Sequence, residues 1–240
     1  MIALLEYLHR CFIRSYRYGA PTFIYLAILL LVYTTGSNPV MDSYAFSSSM
    51  LFVTAAAIGC LMIDVEAANQ EMATLTHARS LVRLSAAKLL YAWLFASALG
   101  LFAVLYPALL GRFDRLPGFE ELGIGLLYHI ALAGLGVSLA GWFSAKLFES
   151  RFYAMLALCA WIALAFGSRG IAGALPDSLD WLTVLLPPVH PALHALTFYA
   201  ELSSGAKWLP ISAALLYAGV SAGLMLAALH KRRLDYPGGE

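Results

Sequence analysis

The run LGIGLLYHIALAGLGVSLAGWFSA, residues 122–145, decides the fold. It contains no Lys, Arg, Asp or Glu. As an α-helix it is about 36 Å long at 1.5 Å per residue. The hydrocarbon layer of a bilayer is about 30 Å thick, so this segment is long enough to cross it. His129 is the one side chain in the run that titrates near neutral pH. A run of this length without charge predicts a transmembrane helix.

Working outward, five further windows have the same character: residues 19–35, 44–63, 89–110, 152–167 and 209–229. The fifth window in chain order, 152–167, is short, but residues 171–175 are apolar again beyond Ser168 and Arg169. The first, 19–35, is preceded by an amphipathic stretch. The residues that follow, Thr34-Thr35-Gly36-Ser37, form a poor small-x-small cleavage site, so it reads as a retained span rather than a signal peptide. The whole chain is 61% hydrophobic and 12% charged, against about 25% charged in soluble domains. The fold class expected is therefore all-α and polytopic, one domain over residues 1–240 with about six transmembrane helices.

Lys and Arg placement sets the expected orientation. With the N-terminus inside, the cytoplasmic segments hold Arg10, Arg14, Arg17, Arg79, Arg83, Lys88, Lys146, Arg151, Lys231, Arg232 and Arg233. The outer segments hold Arg112, Arg115, Arg169 and Lys207. This imbalance places both termini in the cytoplasm. A net charge of +1 gives no nucleic-acid footprint. Cys60 and Cys159 fall in spans and Cys11 in the N-terminal stretch, a pattern that gives no disulfide framework.

Three segments outside the spans carry information. In residues 1–18, Leu5, Leu8, Phe12 and Tyr16 recur at helical spacing, with Arg10, Arg14 and Arg17 on another face. Such a helix lies in the interface with its arginines toward lipid headgroups. Residues 64–88 form the longest cytoplasmic loop, with an amphipathic helix expected over 71–84: Glu71 near its start and Arg83 near its end complement the helix dipole. Residues 174–208 are broken by Pro176, Pro187, Pro188 and Pro191, yet remain apolar and aromatic. Two short interfacial or re-entrant helices are expected there, because irregular backbone at depth must be covered by protein.

Little of the sequence carries catalytic or metal chemistry. There is no G-x-x-x-x-G-K-[ST] phosphate loop. The segment 134–141 lacks G-x-S-x-G spacing, and no histidine of a later span matches its depth. His190 and His194 have i,i+4 spacing without an evident third ligand for zinc. No catalytic, cofactor or metal residues are assigned, and an enzyme is not expected. His129 reads as a neutral histidine bonded to a neighbouring helix, the alternative being a functional intramembrane group. Gly219 and Gly223, with Gly134 and Ser138, are the small residues expected at helix contacts.

The order of these parts resembles the ABC type-2 permease family, the membrane subunits of bacterial ABC exporters. The resemblance covers nearly the whole chain. Its most specific stretch is EAANQEMATLTHARSLVRLSAAKLL, residues 66–90, where Glu66, Glu71, Ser80 and Lys88 look like family features. The Gly-Thr pair before the helix is absent, and Ala78-Arg79 stands where a Pro often precedes the Ser. The segment LPPVHP, residues 186–191, is similar to the family's outer segment. The resemblance implies export of an amphipathic substrate from a bacterial cell membrane. It also implies a second permease copy or a related permease, and a separate ABC ATPase subunit that carries ATP and Mg. Glu71, Thr74, His77, Arg79, Ser80 and Arg83 would then dock the ATPase as a coupling helix. The competing readings are a non-transporting membrane scaffold or immunity protein, and a membrane-embedded enzyme with paired polar groups in different spans.

Overall fold

In a computed structural model of the protein, residues 122–142 of the uncharged run lie in a 24-residue helix, Phe119–Trp142, at the centre of the molecule. The structure describes residues 1–78, 80–143, 148 and 150–232, and for residues 68, 177, 180 and 232 the backbone alone. The elements in order are α1 (Ile2–Ser15), α2 (Gly19–Val32), α3 (Val40–Ile63), α4 (Ala68–Ala78), α5 (Leu81–Leu109), α6 (Phe119–Trp142), α7 (Arg151–Ala174), a 3₁₀ segment (Asp177–Leu185), α8 (Val189–Thr197) and α9 (Ser204–Arg232). The described residues form helices and no strand. Five of these helices are long and apolar enough to cross a membrane, or six if the bent pair α1–α2 counts as one span.

That bent pair corrects the first expected span. Residues 19–35 do not form one helix: α2 stops at Val32, and 14 residues reach only about 21 Å. The chain turns 78° between α1 and α2. Tyr16 makes the turn in the left-handed region (φ 54°). Helix α1 is thereby laid across α5, with Leu8 and Phe12 fully buried. Phe12 meets Tyr91 and Phe95 of α5 edge-on, at centroid distances of 5.7 and 5.6 Å. Arg10, Arg14 and Arg17 stay exposed, and Glu6 pairs with Arg10 at 2.6 Å.

Helices α3 and α6 share the most extensive interface, because glycines remove the side chains that would hold them apart. A Cβ at Gly59 would stand 2.7 Å from the Ala140 Cβ, and one at Gly125 would stand 2.6 Å from the Tyr44 ring. Their apolar windows are 67% and 72% buried, against 39% for α5, 17% for α7 and 22% for α9. The core is therefore an α3–α5–α6 unit, with α7 on the periphery and α9 packed against α6 along one side.

Each set of loops gathers at one end, as alternate crossings require. At one end, the Asn38 N–H donates to Arg112 O (3.3 Å) and the Asp114 N–H to Asn38 O (3.0 Å), joining the α2–α3 and α5–α6 loops. Tyr199, just beyond α8, donates to Glu120 Oε1 at that end (2.8 Å), and the Lys207 ammonium lies over the Tyr199 ring. At the opposite end, Arg151 of α7 reaches Asp64 (3.5 Å), and Arg17 donates to the Asp64 carbonyl. The proline-rich segment holds two short helices. Val189, Ala192, Ala195 and Leu196 of α8 are buried, chiefly against α3 and α9.

One further boundary differs from the sequence reading. The helix expected over 71–84 is two helices. Ser80 is extended (φ −162°), and its Oγ accepts from the Arg83 N–H at 3.4 Å, the N-cap geometry that serine favours. Ser80 and Arg83 thus belong to the start of α5. Arg79, with Lys146 and Arg233, lies outside the described residues. Helix α7 runs unbroken through Ser168 and Arg169 to Ala174.

Candidate functional site

Lys88 is the most unusual side chain in the fold: a lysine with no exposed surface, about two turns past the start of α5. Its helical neighbours explain the position. Leu84, Tyr91 and Ala92 lie on the same face and are buried, so the face that buries them also carries Lys88 inward. A buried ammonium is tolerated only when paired. The Lys88 Nζ lies 2.7 Å from Glu66 Oε2, an ion-pair contact outside hydrogen-bond angles. It donates to Glu71 Oε1 at 3.1 Å and to the Ile63 carbonyl at 3.2 Å. That carbonyl belongs to the last turn of α3, where the helix dipole favours a cation.

The other oxygen of Glu66 takes donors from α4 and from α1. Glu66 Oε1 accepts from the Thr74 hydroxyl of α4 (2.5 Å) and from the Tyr7 hydroxyl of α1 (2.9 Å). Gln70 donates to Tyr7 Oη at 3.1 Å. One lysine and two carboxylates thus bind α4 to the end of α3, the start of α5 and the face of α1. Burial by itself would raise the Glu66 pKa. Lys88, Thr74 and Tyr7 outweigh it and hold the carboxyl below its ordinary value of 4.5.

A lowered folded pKa means that Glu66 contributes its full stabilisation above the ordinary glutamate value, and loses it as pH falls through the folded one. The thermal midpoint in detergent should therefore be insensitive to this group between pH 7 and about 5 and decline below about 4.5. Glu66→Gln should flatten that acid limb. An unchanged limb in the variant would show that other carboxylates govern it.

The cluster changes the roles expected along residues 71–84. Glu71 and Thr74 turn inward to Lys88 and Glu66, so their polar groups are not offered to a docking partner. The reason is electrostatic: buried Lys88 requires Glu71, and buried Glu66 takes the Thr74 hydroxyl. The outward face of α4 presents Asn69, Met72, Ala73, Thr76 and His77. Met72 is 66% exposed. His77 contacts the Ala73 carbonyl of its own helix (3.0 Å).

The small residues expected at helix contacts divide into two groups. A Cβ at Gly134 would lie 3.1 Å from the Trp93 indole nitrogen, and Ser138 is buried with its hydroxyl on the Leu135 carbonyl. Gly219 and Gly223 face open space, with nothing within 4 Å of a Cβ built there. They make no helix contact with the described residues of this chain, because α9 packs on α6 through another face, that of Met225 and Ser221.

Sequence reasoning missed the polar partner of His129. Ser47 of α3 brings its hydroxyl 2.8 Å from His129 Nε2, while Nδ1 contacts the Gly125 carbonyl at 2.7 Å. Both side chains are wholly buried, so the pair fastens α3 to α6. Serine is common in helices and hydrogen-bonds its own backbone, which leaves no sequence signal for such a pairing. The Glu66–Lys88 pair had a clearer signal, an isolated lysine among apolar residues that lead into a span.

Comparison of the chain with protein-family models, with curated proteins and with solved structures finds no match.

Proposed function

We propose that this chain is the membrane-spanning permease subunit of an ATP-driven exporter for an amphipathic substrate, working with a separate ATPase subunit and a second permease copy or a related one. The observation that carries the reading is the clamped state of α4. A permease without a phosphate loop receives its work through a contact surface, and that surface must be rigid to pass on a displacement. Helix α4 is held by the buried Lys88, Glu66 and Glu71 cluster to three other elements, while its opposite face is exposed. A push on α4 is delivered to α5, which spans to the other end of the molecule, and to α3 through Ile63.

On this reading the α4 end is cytoplasmic, in agreement with the Lys and Arg bias, and α1 lies on the inner interface with Arg10, Arg14 and Arg17 toward anionic lipid headgroups. The docking surface is revised to Met72, Thr76 and His77, in place of the inward-facing Glu71 and Thr74. ATP and Mg belong to the partner.

The test uses exposed positions, so that folding is spared. Met72→Glu with His77→Glu should leave insertion and thermal midpoint unchanged. Stimulated ATP hydrolysis by the ATPase that co-purifies from the native host should fall at least about tenfold, the effect of losing one interface anchor. If the wild-type chain brings down no ATP-hydrolysing subunit, or the variant stimulates it fully, the permease reading with this docking face is wrong.

A further inference from the structure

Residues of α6, α7, α8, α9 and the 3₁₀ segment line a cavity of about 1310 Å³. Drug-sized ligands occupy sites of about 300–1,000 Å³, so this one is larger. Its walls are apolar and aromatic, with Trp142, Trp161, Leu216 and Leu224 among them. Along α9 the lining runs from Ala206 to Leu224, about 27 Å of helix at 1.5 Å per residue. That length is close to the thickness of a hydrocarbon layer, about 30 Å.

One end of this apolar groove is cationic. Arg169 of α7 and His190 and His194 of α8 all line it. The two imidazoles are 5.9 Å apart. Among the described residues, no carboxylate lines the cavity. Burial, then the Arg169 guanidinium, then His194 all hold the His190 imidazole below its ordinary pKa. The repulsion in these last two contributions is what an anion placed between the groups would relieve. Arg169 stands five residues before the end of α7 at Ala174, about 8 Å along the helix. If α7 spans the bilayer, that places the Arg169 Cα just inside the hydrocarbon, from where a side chain as long as arginine's snorkels to headgroup depth.

We infer that the groove between α7, α8 and α9 holds one anionic phospholipid, its phosphate at Arg169, His190 and His194 and its acyl chains against Trp142, Trp161 and the exposed side of α9. The Arg169 guanidinium and the imidazole N–H groups are donors that match phosphate oxygens. The long apolar wall matches chains rather than a compact solute. A helix from a second copy would fill the apolar wall but would have to bring a carboxylate to the cationic end. The inference needs only that the helices lie in a bilayer and is independent of the exporter reading.

The experiment is native mass spectrometry of the full chain released from nanodiscs made of equal phosphatidylglycerol and phosphatidylcholine. One phosphatidylglycerol should be retained per chain, in preference to phosphatidylcholine. Arg169→Ala combined with His190→Ala and His194→Ala should reduce that preference at least about tenfold, as expected when charge-assisted contacts are lost. Ala213→Trp, which fills the groove wall, should remove retained lipid of both kinds. The variants' thermal midpoints report whether each is folded, and Leu216→Ala, which enlarges the groove, keeps the test open if one is not: it should retain the phosphatidylglycerol preference. Equal retention of the two lipids would overturn the inference. So would a preference that survives the triple variant, or a dimeric mass in which Val220→Cys cross-links two copies through the groove.

Discussion

Lys88→Ala is expected to destabilise the protein by about 3–5 kcal/mol, the usual cost of removing one partner from a buried ion pair. The substitution leaves Glu66, whose side chain is fully enclosed, and Glu71, mostly enclosed, facing each other without a cation. It also leaves the Ile63 carbonyl without its donor. In a chain of this size such a loss lowers the thermal midpoint by on the order of 10 °C. The effect separates charge from packing when the carboxylates are neutralised as well. Lys88→Met with Glu66→Gln and Glu71→Gln should recover most of the midpoint, because a buried ion cluster replaced by neutral groups of similar volume is often close to neutral. If Lys88→Ala unfolds at the wild-type temperature, the cluster does not hold α4. The exporter reading then loses its mechanical basis.

How legible this fold was depends on which force fixes each element. Spans that follow from apolar length alone were plain: 122–145, 44–63 and 209–229 all lie on long helices, offset by a few residues. Two short helices in the proline-broken segment were legible for the same reason, since Pro176, Pro187 and Pro188 forbid one long helix there. What escaped was tertiary. A hydropathy window cannot see a 78° turn, so α1 and α2 read as an interfacial helix and a full span. Ser80 looked like one polar residue in an amphipathic run, although its capping of α5 ends the run at Ala78. In the candidate site, Glu66, Glu71 and Lys88 were visible as charges beside a span. Their convergence was not, because sequence spacing says nothing about which side of α4 meets α5. The direction of Glu71 and Thr74 followed from Lys88 being buried, a fact available only from packing.

Gly136 was not singled out in the sequence, where Gly134 and Ser138 beside it drew the argument, yet it is expected to be the least replaceable glycine in the chain. A Cβ there would collide with the Phe52 carbonyl oxygen, and would also lie 3.0 Å from the Ala56 nitrogen and 3.2 Å from the Ala55 Cβ. The first two of these are backbone atoms in the middle of α3. They cannot swing aside as a side-chain tip would, so α3 and α6 must separate along their shared interface. That interface also carries the Ser47–His129 bond and the Gly59–Ala140 approach, which separation would strain together. Overpacking usually costs about 1–3 kcal/mol. Gly136→Ala should fall at the upper end of that range, and Gly136→Val should prevent recovery of a monodisperse protein in mild detergent. Gly219→Ala and Gly223→Ala are the matched controls, since both positions are open and alanine favours a helix over glycine by about 1 kcal/mol. Their midpoints in the isolated chain should be unchanged or slightly raised. Should Gly136→Ala behave like the controls, α3 and α6 are not packed backbone to backbone. The central unit of the fold would then need to be redrawn.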